Sequence, residues 1–162
     1  MTIYEVNMIF RSITLIFFSI AVHLRLRADC EYVSKPGSER DNAAQDVLVS
    51  IAKRYLQTVT PSNEEEFNGF LSYLQEMRKV LLVDAQIGSL IITVECSSLQ
   101  ILDELWEDYC TGRLNDKAQE FLVTDDILNE FSLLEVKLAI SILEEEYKAC
   151  RRYFLHLPGW FN

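Results

Sequence analysis

The side chains able to do chemistry are few in this sequence, and their spacing does not bring them together. There are two histidines, His23 and His156, and neither lies near a nucleophile along the chain. The four cysteines, Cys30, Cys96, Cys110 and Cys150, are far apart, with no Cys-x-x-Cys pair. Structural zinc sites typically take four Cys or His ligands with pairs such as Cys-x-x-Cys, so none is expected. Sparse cysteines in apolar surroundings read instead as small buried hydrophobes in a reducing compartment, although spacing alone leaves a disulfide among the last three open. No nucleophile-elbow, phosphate-binding or dinucleotide-binding glycine pattern occurs. Asp103 and Glu107 stand four residues apart on the polar face of a helix, where a carboxylate pair is solvated. General acid–base work needs desolvation to raise one of them. Glu64–Glu66, Asp125–Asp126 and Glu144–Glu146 each open a helix, and Arg151–Arg152 close the last one, as the helix dipole prefers. Trp106 and Tyr109 repeat at core spacing. The residues therefore point to no catalytic group, no cofactor and no metal.

Charge narrows the function classes. The 162 residues carry a formal net charge of −10. Residues 1–40 have five basic and four acidic side chains, so residues 41–162 hold about −11. Phosphate binding needs clustered Lys and Arg, which argues against nucleic acid. The acidic part repels anionic membranes and suits a basic partner surface. Length allows one domain with a single core.

The elements that would position any site follow from periodicity. Ala44, Val47, Leu48, Ile51, Ala52, Tyr55 and Leu56 recur at helical spacing, behind an Asn42–Gln45 capping box and ahead of Pro61. Ser62 with Glu65 caps a second helix carrying Phe67, Phe70, Leu71, Leu74 and Met77. Val80–Val83 reads as a strand, residues 84–89 as a turn, and 90–96 as the returning strand. In that strand Leu90, Ile92, Val94 and Cys96 share the core face, which leaves Ile91 as a large apolar residue on the polar face. Ser97 and Gln100 cap a helix bearing Leu102, Leu105, Trp106 and Tyr109, stopped by Gly112. Leu114, Ala118, Phe121 and Leu122 make a shorter helix, and Thr124 caps another with Ile127, Leu128 and Phe131. Leu134, Val136, Leu138, Ile140 and Ile142 alternate with polar or small residues as a half-buried strand. A final helix turns Leu143, Tyr147, Cys150 and Phe154 inward. The order implies an α+β fold with a small, mainly antiparallel sheet covered by helices.

Residues 1–40 stand apart as a hydrophobic leader and linker, followed by a domain over 41–157 and a tail over 158–162 containing Trp160 and Phe161. Ser12–Leu24 carries no formal charge, and its roughly thirteen residues fall short of the 17–25 of a membrane span. Arg11 before it and Ser19-Ile20-Ala21 within it fit a signal peptide, whereas Glu5 does not. His23, Arg25 and Arg27 alternate with Val22, Leu24 and Leu26, which is strand periodicity. Both readings stand on the residues alone: a secreted or membrane-tethered chain, or a strand that completes a ferredoxin-like sheet in a cytoplasmic protein. Lys35-Pro36-Gly37-Ser38 breaks the pattern as a linker.

Gly88-Ser-Leu-Ile-Ile-Thr-Val-Glu-Cys96, Leu102-Asp-Glu-Leu-Trp-Glu-Asp-Tyr109, Gly112, Leu114 and Ala118-Gln119 resemble the TRADD-like N-terminal domain family. The likeness is strongest to its invertebrate members, and the strand 135–142 with its Glu-rich helix continues it. The resemblance spans roughly residues 42–157 and implies a ferredoxin-like α–β sandwich. It further implies a non-catalytic adaptor module in apoptosis signalling, with a TRAF-family adaptor as partner at the sheet edge and hairpin. By position the partner-binding residues would be Asp84, Gln86, Ile87 and Ile91, of which Ile91 keeps the expected chemical type. A membrane partner is expected only if Ser12–Leu24 acts as an anchor.

Overall fold

The centre of the structure is a strand from the segment that reads as a leader. A computed structural model of the chain describes residues 21–39, 41, 43–58, 68–75, 79–86 and 89–158. Its first element, β1 (Val22–Ser34), alternates buried Val22, Leu24, Leu26 and Ala28 with exposed His23, Arg25, Arg27 and Asp29. The period of two that the sequence shows there is thus realised. The last residues of the Ser12–Leu24 run lie inside a sheet, while residues 12–20 lie outside the described residues.

After β1 come helices α1 (Ala43–Thr58) and α2 (Asn68–Gln75), then the hairpin strands β2 (Lys79–Gln86) and β3 (Ser89–Cys96). Three helices follow, α3 (Leu99–Cys110), α4 (Arg113–Leu122) and α5 (Asp125–Glu130). Strand β4 (Leu133–Ser141) and helix α6 (Glu144–Leu155) complete the described residues. The sheet order is β2-β3-β1-β4 with every neighbouring pair antiparallel. That is the ferredoxin-like arrangement, in which each of the two central strands has its sequence neighbour at an edge. The sheet therefore reaches back into the 1–40 segment: β1 pairs through residues 22–28 with β3 and through 27–34 with β4.

Alternating burial along β1, β3 and β4 shows that the helices cover one face. Against that face pack Val47, Leu48 and Ile51 of α1, Phe70 and Leu74 of α2, Leu102 and Leu105 of α3, Leu114 and Leu122 of α4, and Phe154 of α6. Each such side chain, fully buried, contributes about 1.5–3 kcal/mol. Trp106, Tyr109, Tyr147 and Cys150 pack at the margin of this core, half-buried. The close approach of α2 to α4 needs a glycine, since a Cβ on Gly69 would collide with the ring of Phe121.

The caps follow the sequence with one shift. Ser98, not Ser97, is the N-cap of α3, and its hydroxyl accepts from the Ile101 amide. Thr124 caps α5 in the same way. Gly112 takes the left-handed conformation (φ 84°) that ends α3 and starts α4. Asn42, Ser62, Glu65, Phe67, Met77, Trp160 and Phe161 lie outside the described residues.

Three expectations need correction. Residues 84–86 continue β2, with Gln86 opposite Ser89, because hairpin pairing satisfies backbone groups that a longer turn would leave open. Leu134 is 57% exposed and Leu133 takes the inward position. A register shift at Val33–Ser34, just after Ser132 in the left-handed region (φ 52°), turns both Leu134 and Glu135 outward. Leu143 is likewise 66% exposed, because it is the extended N-cap of α6 rather than part of its inner face.

Candidate functional site

The uncovered face of the sheet is built from the odd-numbered residues of β1, β3 and β4. His23, Arg25, Arg27, Asp29, Glu31 and Val33 of β1 are all exposed there. Opposite them stand half-buried Ile91, Thr93 and Glu95 of β3 on one side, and exposed Lys137 and Ala139 of β4 on the other. Much of the charge is paired locally. Arg27 lies 3.7 Å from Asp29, and Lys137 lies 3.5 Å from Glu135. Ser89 donates to Asp29 at 2.8 Å, tying the start of β3 to β1.

The four residues that the resemblance marks are placed as follows. Asp84 and Gln86 are in β2, opposite Ile91 and Ser89 respectively. By register Ile91 lies between Asp84 of β2 and Arg27 of β1 in one cross-strand row. Asp84, Gln86 and Ile91 thus share the hairpin, and Ile87 lies outside the described residues. Lys137 is not a neighbour of Ile91. It pairs with Glu31 across β1, and the row through Ile91 reaches β4 at Ser141. Strand order, which no local pattern encodes, decides this.

The sheet's margins are finished by side chains that sequence reasoning leaves unassigned. On the outer edge of β4, Gln119 of α4 donates to the Val136 carbonyl and accepts from the Leu138 amide, both at 2.8 Å. Asn115, one turn earlier, accepts from the Ile140 amide at 2.8 Å. Two carboxamides thus stand in for a missing strand. The available signal is their i, i+4 spacing beside the buried Leu114, Ala118 and Leu122 stripe. Where β4 does not reach, α6 takes over: the Glu146 carboxylate accepts from the Arg25 amide at 3.0 Å and pairs with its guanidinium. The Cys150 thiol donates to the His23 carbonyl.

On the helical side, the rings of Trp106 and Tyr147 stack 4.2 Å apart and parallel within 1°. The Tyr147 hydroxyl donates to Asp103 at 2.7 Å, and Arg151 pairs with the same carboxylate. Burial, the hydrogen bond and the Asp103 charge push Tyr147 up to about 12, against the pull of Arg151. Burial and the neighbouring Asp29 charge push the Cys30 thiol up to about 11. Burial and Glu146 raise Cys150 as well. These groups hold their protons at neutral pH, which suits packing rather than nucleophilic attack. Each binds its proton more tightly folded than unfolded, so its contribution is complete below the unfolded value and is lost above it. Stability is therefore expected to fall as pH rises from about 9 toward about 12, read as the urea midpoint against pH, and Tyr147→Phe with Cys30→Ala should flatten the decline. Among the described residues, no group of three or more His, Cys, Asp or Glu is arranged to hold a metal ion. Among them also, no helix is long and apolar enough to cross a membrane.

Comparison with known proteins shows partial likenesses. The human death effector domain-containing protein is 29% identical over 116 residues, which cover 68% of this chain and 36% of that protein, and the mouse protein aligns equally. Human DNA-binding death effector domain-containing protein 2 is 29% identical over 75 residues, or 46% of this chain and 23% of that protein. The chain thus spans between about a quarter and little more than a third of the length of these curated relatives. Residues 64–127, from the approach to α2 through to α5, match the model of the TRADD-like N-terminal domain. Over these residues the chain is similar to the TRADD-like N-terminal domain.

Proposed function

We propose that the chain is a non-catalytic protein–protein interaction module of death-receptor-type signalling, acting in the cytoplasm. Its partner in this reading is a TRAF-family adaptor, held at the β2–β3 hairpin and the adjoining open face. The observation that carries the proposal is the Asp84–Ile91–Arg27 row. There an apolar residue outside the core has Arg27 and Asp84 at its register positions, on a face that no described helix covers. An apolar anchor with a charged rim is the usual make-up of a protein-recognition patch. The match to the TRADD-like N-terminal domain supports the same reading, as do the death effector proteins among the relatives.

The name of one relative speaks of DNA binding, and that function does not carry over to this chain. The net charge of −10 opposes phosphate, and Arg25 and Arg27 on the open face are already engaged with Glu146 and Asp29.

The test is direct binding of the whole chain to a purified TRAF-family adaptor. Ile91→Asp is expected to weaken binding at least about tenfold, about 1.4 kcal/mol, with an unchanged circular dichroism spectrum. Failure of the unaltered chain to bind would remove the TRAF partner, and equal binding by the variant would remove this surface.

A further inference from the structure

The edge of β4 presents outward the backbone groups with which an antiparallel strand would pair: the Val136 carbonyl and the Leu138 and Ile140 amides. All three are occupied by the side chains of Asn115 and Gln119. Edge strands left open recruit further strands, and proteins cover or charge them to prevent it. What the uncovered edge would recruit can be read from its own residues. Pairing β4 with its copy about a two-fold axis at Val136 sets Val136 opposite Val136. Glu135 then faces Lys137 of the second copy, and Lys137 faces Glu135. Within one chain these two side chains already pair along the strand at 3.5 Å, and the dimer would exchange that contact for two across the interface. Val33 and Leu134, 50% and 57% exposed at the same end of the sheet, add apolar surface for the second copy to cover.

We infer that Asn115 and Gln119 form a guard that keeps β4 from joining the β4 strand of a second copy of this chain. The guard sits apart from the hairpin, on the opposite margin of the sheet, so it is independent of the proposed partner site. Alanine at both positions keeps α4 helical while removing both carboxamides. The whole chain carrying Asn115→Ala and Gln119→Ala is compared with the unaltered chain by sedimentation velocity up to about 100 μM. Self-association is expected to be at least about tenfold tighter in the double variant. Adding Lys137→Glu, which sets like charges opposite one another, should return it to the unaltered level. A folded double variant that associates no more than the unaltered chain would overturn the inference, and so would association that survives Lys137→Glu. If the double variant does not fold, Gln119→Glu serves in its place, judged by the same two readings. That change keeps the acceptor for Leu138 but sets an anionic oxygen against the Val136 carbonyl.

Discussion

A fragment comprising residues 41–158 is expected to be unfolded, whereas residues 21–158 should fold cooperatively. The division at residue 41 follows the visible break at Lys35–Ser38, yet it removes the strand that joins the two halves of the sheet. Without β1, β3 keeps only β2 and β4 keeps no strand partner at all among the described residues. Leu24 and Leu26 are fully buried with Val22 and Ala28 beside them, and their loss alone forfeits about 3–6 kcal/mol of apolar burial. Two ladders of backbone hydrogen bonds go with them, leaving groups on β3 and β4 that cost further free energy unless water reaches them. A domain of this size has about 5–15 kcal/mol in all. Far-UV circular dichroism and urea titration of the two fragments decide the matter. A cooperative transition in the 41–158 fragment would show that β1 is dispensable.

Phe154→Ala is expected to remove about 3–5 kcal/mol, the usual loss when a buried aromatic is truncated. Phe154 is among the largest fully buried side chains and anchors α6, which packs on both β1 and α3. Three features depend on that docking: the Glu146 contact with the Arg25 amide, the Cys150 contact with the His23 carbonyl, and the Trp106–Tyr147 stack. The urea midpoint should fall with little change in slope, since the same surface unfolds. Tryptophan emission should shift in the same transition if Trp106 loses Tyr147. The neighbouring Tyr153 is only half-buried, so Tyr153→Ala should cost clearly less. Equal losses at the two positions would mean that α6 is not anchored through Phe154.

Periodicity alone was enough to read the elements. Val47, Leu48, Ile51 and Ala52 of the α1 stripe, the inward set Leu90, Ile92, Val94 and Cys96 of β3, the Thr124 cap and the Gly112 stop come out in the structure as the residues indicate, while Ala44 is only half-buried and Ala43 takes the buried place. Each depends on the residue itself and its neighbours within one or two turns, so a local reading suffices. The alternation in residues 22–27 was equally legible. What made it ambiguous was its place beside an apolar run that also suits a signal peptide, and only pairing with β3 and β4 shows it as the central strand.

The positions that misled are those set by another part of the chain. Leu134 alternates correctly on paper, but a register shift opposite Val33–Ser34 turns it outward and gives its place to Leu133. Which residues lie across from Ile91 follows only from the order β2-β3-β1-β4, which sets β1 between the strands of Ile91 and Lys137. Asn115 and Gln119 look like ordinary polar residues on the exposed side of a helix until the edge of β4 is beside them. The sequence by itself determined that there is a half-buried antiparallel sheet under helices and that Ile91 stands outside the core. Only the tertiary structure decided which strand is central, which charges surround Ile91, and which edge of the sheet is closed. Periodicity encodes which side of an element is apolar, whereas strand order and edge covering depend on contacts between residues far apart in the chain.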